Sequence, residues 1–62
     1  MNPELESLLG TLVVKNKGFF GGLVGVLIRK DINGEVNYFV DFNGSLVAVT
    51  SMQQITKYEK QL

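Results

Sequence analysis

The chain contains no cysteine, no histidine and no tryptophan, and its single proline is Pro3. Without cysteine there is neither a disulfide nor a thiolate zinc site. Without histidine, imidazole ligation and the commonest general base are gone as well. Net charge is also missing: six basic and six acidic residues cancel, so no bulk field draws the chain to nucleic acid or to an anionic membrane. The apolar, charge-free run from Gly18 to Ile28 is too short to span a bilayer and holds four glycines. No basic leader or cleavage pattern follows Met1, which together with absent cysteine leads us to expect a cytoplasmic protein with no membrane contact.

What is present is a chain of 62 residues, one domain with one core. A domain of this size buries only about 60% of its unfolded surface. Ordering costs roughly 1.5 kcal/mol per residue, close to the whole gain from apolar burial. With no disulfide or metal to help, a very well-packed core or association with another surface remains. The composition, 45% hydrophobic with a mean hydropathy of +0.16, points to association.

Asn2-Pro3-Glu4-Leu5-Glu6 carries a helix-start pattern: a capping side chain, proline at the first turn, and acids at the positive end of the dipole. Leu5, Leu8 and Leu9 have the spacing of one buried face, so a short helix is expected over 2–9, ended by Gly10. From Thr11 the pattern is that of strands, over 11–16, 22–30, 35–42, 45–50 and 55–58, with a tight helical turn at 51–54 and a polar tail over 59–62. Asn33-Gly34 and Asn43-Gly44 are hairpin turns. The expected architecture is mainly β: a five-stranded SH3-like barrel over 11–58, lidded by the helix. Its expected core is Leu12, Val14, Val26, Ile28, Val36, Tyr38, Val40, Phe42 and Ile55.

Alternation along the strands leaves a surplus. If Tyr38 and Val40 face inward, Phe39 faces outward, and Val47 and Val49 take the face opposite Leu46 and Ala48. The second strand is apolar on both faces. Either the helix and tail cover this excess, or it forms a protein–protein surface that includes Phe39, Val47 and Val49. Gly25 sits inside a strand, where glycine is costly unless something crowds it.

The string Gly18-Phe19-Phe20-Gly21-Gly22-Leu23-Val24-Gly25-Val26-Leu27 resembles the KOW motif of NusG-like transcription factors and certain ribosomal proteins. Gly18, Phe20, Gly22, Gly25 and Leu27 fall in register with that family's Gly-Pro-Phe-x-Gly-x-x-Gly-x-Val string, and the similarity covers about residues 11 to 58. Phe19 stands where the family has proline, and the basic bias of its RNA-gripping members is absent. Phe20-x-Gly22-x-Val24 is similar to a segment of the Sm-like fold, and small SH3-like accessory subunits of larger complexes share the strand rhythm. The KOW resemblance implies RNA-, ribosome- or transcription-associated binding. A loop joining Lys15, Lys17, Phe19 and Phe20 has the basic and aromatic groups for it, although ordinary solvated lysines explain the same residues.

Catalysis has little to work with. Glu4 and Glu6 belong to the helix start, Asp31 and Glu35 flank one turn, and Asp41 sits beside the other. No Gly-Lys-Ser/Thr follows the glycines, so they are not a phosphate loop. We therefore expect no enzyme, no cofactor and no small-molecule substrate. The expected function is a protein-interaction or assembly module, binding itself or acting as an adaptor in a larger complex. Gly18, Gly22, Gly25, Asn43 and Gly44 serve as structural positions.

Overall fold

The computed structural model describes residues 1–59; most of the expected polar tail, at 60–62, lies outside the described residues. The Asn2 carboxamide oxygen accepts the Glu4 and Leu5 N–H groups at 3.0 and 3.2 Å, and helix α1 runs from Pro3 to Ser7. It is shorter than the leucine spacing predicted. Leu8 and Leu9 continue as a turn, which the Gly10 N–H ties to the Leu27 carbonyl at 2.8 Å. Leu5 is fully buried, so its side chain packs the helix onto the sheet.

The strands are β1 (Leu12–Lys15), β2 (Val24–Ile32), β3 (Glu35–Phe42), β4 (Ser45–Val49) and β5 (Ile55–Lys57), with a 3₁₀ turn at Met52–Gln54 before β5. All neighbours pair antiparallel in one sheet of order β4-β3-β2-β1-β5. Both tight hairpins are where the Asn-Gly pairs put them, with positive φ at Asn33, Gly34, Asn43 and Gly44, the requirement of a two-residue primed turn. Asp41 reinforces the second by accepting the Gly44 N–H at 2.6 Å. Among the described residues β4 and β5 do not pair, so the sheet is open.

The core is Leu5, Val13, Leu27, Tyr38, Val40, Val49 and Ile55, with Leu8, Leu9, Val36, Phe42 and Met52 packed against it. Tyr38, Val40 and Ile55 are where alternation placed them. Leu12, Val14, Val26 and Ile28 are not: these two strands have the opposite phase, and Leu12 is 47% exposed. The reason is Gly25. A Cβ there would lie 2.6 Å from Val40 Cγ1 and 2.7 Å from the Asp41 carbonyl oxygen, so Gly25 is the residue where β2 presses onto β3 on the inner face. Two residues on, Leu27 is therefore inward, and Val13, paired with Gly25, is inward in β1. A strand apolar on both faces carries no phase of its own, and the crowded glycine supplies it.

Strand β4 needs the same correction. Val47 pairs with Val40 and Val49 with Tyr38, so both share the inner face, and Val49 is 2% exposed. They cannot join Phe39 in one outward surface. Phe39 does face outward, opposite Ile28 and Ala48.

Candidate functional site

The register that buries Val13 and Leu27 turns a second apolar set to the other side of the sheet. Cross-strand pairing lines up Leu46, Asp41, Val26 and Leu12 in one row, Ala48, Phe39 and Ile28 in another, and Val24, Val14 and Thr56 in a third. Leu12, Val24 and Leu46 are exposed, and Val14, Val26, Ile28 and Phe39 are half-buried. The one acid in these rows, Asp41, is held by the Gly44 N–H. This outer face is what the doubly apolar strands become.

At one end the face runs into a groove of about 410 Å³ lined by Leu12, Phe20, Leu23, Val24, Val26 and Phe42, with Asp41 and Asn43 also on its wall. Its wall is aromatic: Phe20 stacks on Phe42 with ring centroids 4.9 Å apart, an offset geometry that aromatic rings favour. The loop that carries Phe20 is closed by backbone. The Lys15 N–H donates to the Leu23 carbonyl at 3.1 Å, and the Gly22 N–H to the Lys15 carbonyl at 2.8 Å. Gly18 and Gly22 take positive φ at the two bends of this loop. The tip between them projects Phe19, which is 97% exposed and touches Phe20 edge-on at 5.3 Å.

The four loop residues singled out by sequence are thus brought together unevenly. Phe20 belongs to the groove and Phe19 to solvent. Lys15 Nζ folds back to donate to the Lys17 carbonyl at 3.2 Å, while Lys17 is exposed. Asn16, which sequence reasoning passed over, anchors the loop. Its N–H donates to the Gln54 carbonyl, its Nδ2 to the Gln53 carbonyl, and its Oδ1 accepts from the Thr56 hydroxyl. A short polar side chain between a strand and a glycine loop was the only signal for it.

A polar chain occupies the opposite end of the sheet. The Tyr38 hydroxyl donates to Glu6 Oε2 and accepts the Asn2 N–H. Arg29 Nη1 also donates to Glu6 Oε2 at 3.0 Å, and its Nε and Nη2 grip Asp31 at 2.8 and 3.1 Å. The Arg29 hydrogen bond holds the Asp31 carboxyl below its ordinary value, and the same contact raises Arg29. Burial, then the Glu6 hydrogen bond, pushes the Tyr38 phenol up. Glu6, read from sequence as a dipole acid alone, is the link between α1, β2 and β3. Each charged group here has a structural partner, so the arrangement fastens the helix rather than presenting a reactive group.

Compared with known proteins, the chain matches no family model, no curated protein and no solved structure.

Proposed function

We propose that this chain is a non-enzymatic protein-interaction module of SH3-like type that binds through the outer face of its sheet. One observation carries the reading: the exposed Leu12, Val24 and Leu46, with half-buried Val26, Ile28 and Phe39 between them, form apolar rows whose only acid is already hydrogen-bonded. Contiguous apolar surface rimmed by polar residues is a mark of docking sites. The strand order and the 3₁₀ turn before β5 support the SH3-like part of the reading.

The double variant Leu12→Ser, Val24→Ser tests it. Native mass spectrometry of the purified parent is expected to give a mass above the monomer, either as a self-complex or with a co-purifying protein. The variant should lose whatever mass docking through the outer face adds while staying folded, because exposed substitutions ordinarily shift stability by no more than about 0.5 kcal/mol. A parent that runs as a lone monomer, with unchanged behaviour in the variant, refutes the module.

Phe19 and Lys17, both exposed and two residues apart on the same loop, favour a second reading, single-stranded RNA binding of the kind the KOW resemblance implies. A protruding ring stacks on any base, and a lysine on the same loop meets the phosphate. Phosphate contacts make affinity fall steeply with salt, whereas an apolar interface hardly responds. Loss of RNA binding in Phe19→Ala at low salt supports it; no RNA binding by the parent at low salt removes it.

A further inference from the structure

We propose that β4 is the docking edge of a symmetric dimer, in which two copies pair their β4 strands antiparallel about a two-fold axis through Val47. This goes beyond the outer-face reading: it uses the edge of the sheet, and its partner is a second copy of the chain. In a two-residue hairpin the residues flanking the turn exchange both backbone hydrogen bonds, and every second pair repeats this. Here Phe42 and Ser45 flank Asn43-Gly44. Ser45, Val47 and Val49 therefore bond to β3, and Leu46 and Ala48 turn their N–H and C=O groups away from the sheet. Neither residue has another backbone partner among the described residues. The edge ends where Gln54 Oε1 takes the Thr50 N–H at 2.7 Å. Leu46 and Ala48 are both exposed.

Natural edge strands are blunted by charge, proline, a bulge or shortness. The other edge of this sheet, β5, is three residues long and ends on Lys57. Strand β4, Ser-Leu-Val-Ala-Val, is five residues with none of those devices. That asymmetry selects the partner. Head-to-tail addition would set the open edge against the blunted one, while β4 on β4 matches two open edges and closes after two copies. Antiparallel pairing about Val47 sets Leu46 opposite the partner's Ala48 at both ends of the contact. A large side chain meets a small one, the outward groups of both residues are satisfied, and no charge faces another.

The test is sedimentation of the full chain over the micromolar to millimolar range, with amide hydrogen exchange read by NMR. A dimer is expected to grow with concentration. The Leu46 and Ala48 amides should slow in proportion to it, while Val47 and Val49 stay protected throughout by β3. Ala48→Pro removes one outward donor without touching the β3–β4 ladder and should weaken the dimer roughly tenfold. Should the Val47 and Val49 amides lose protection in that variant, Ala48→Lys serves instead: it charges the edge, leaves the backbone intact, and should weaken the dimer similarly. A dimer indifferent to the variant, with Leu46 and Ala48 exchanging freely, overturns edge pairing but leaves docking through the outer face standing. A chain that stays monomeric across the range, with those two amides unprotected, overturns self-pairing.

Discussion

Gly25 is the residue on which the packing of this sheet turns. An added Cβ would meet Val40 Cγ1 at 2.6 Å, the Asp41 carbonyl oxygen at 2.7 Å and Phe42 Cδ1 at 3.0 Å. A side-chain methyl can rotate away; a carbonyl in a paired strand cannot. Gly25→Val is therefore expected to cost about 3 kcal/mol or more, beyond ordinary overpacking. A domain of this length has only roughly 3 to 9 kcal/mol in total. Urea denaturation measures it, and a midpoint within error of the parent would contradict the crowding. Asp31 supplies a second expectation. Its folded carboxyl lies below the ordinary 3.8, so the unfolded chain binds the proton more readily. The stabilisation is present above that value and is lost as pH falls through and below it. Asp31→Asn should flatten the acid limb of a stability-against-pH curve, and an unchanged limb would show that the Arg29 contact contributes nothing there.

Among the elements, α1 is the least self-sufficient. Five residues cannot hold a helix alone in water, and three contacts maintain it: the Asn2 cap, buried Leu5, and the Glu6 carboxylate under Tyr38 and Arg29. Asn2→Ala removes the cap and should cost about 1 kcal/mol, seen as lowered thermal midpoint with faster exchange of the Glu4 and Leu5 amides. Tyr38→Phe keeps the buried ring but removes the hydroxyl, for roughly 1 kcal/mol. Its clearer signature is in alkali. The folded phenol ionises above its ordinary 10.0, so folding favours the neutral form. That stability is full below pH 10 and erodes as pH rises above it. The parent should show this alkaline loss and Tyr38→Phe should not. A parent curve flat through that range would contradict the placement of Tyr38. The boundaries at the Asn43-Gly44 turn were legible in the sequence because local chemistry alone sets them, whereas at Asn33-Gly34 only the turn itself was: β2 runs from Val24 to Ile32, two residues beyond each expected bound of 22–30, because its pairing with β3 continues up to the turn. The end of α1 was not, since Leu8 and Leu9 pack against the core from a turn as well as they would from a helix.

For the whole molecule, association and stability are one quantity. A second copy that binds only the folded chain raises the thermal midpoint with protein concentration. We expect such a rise in the parent and its displacement to about tenfold higher concentration in Ala48→Pro; a midpoint independent of concentration in the parent would speak against any self-association. The sequence by itself determined an almost all-β chain, five strands in order and two hairpins, because turn residues and strand-forming residues act over a few positions. Tertiary structure alone decided which face of β1, β2 and β4 is the core. In strands apolar on both sides, alternation is degenerate, and the choice falls to contacts distant in sequence: Gly25 against β3 and Val49 opposite Tyr38. The same choice moved Val49 into the core, left Phe39 outside, and set Leu12, Val24 and Leu46 toward solvent. A candidate surface is the complement of the core, so its residues became readable only once the phase of each strand was fixed by its neighbours.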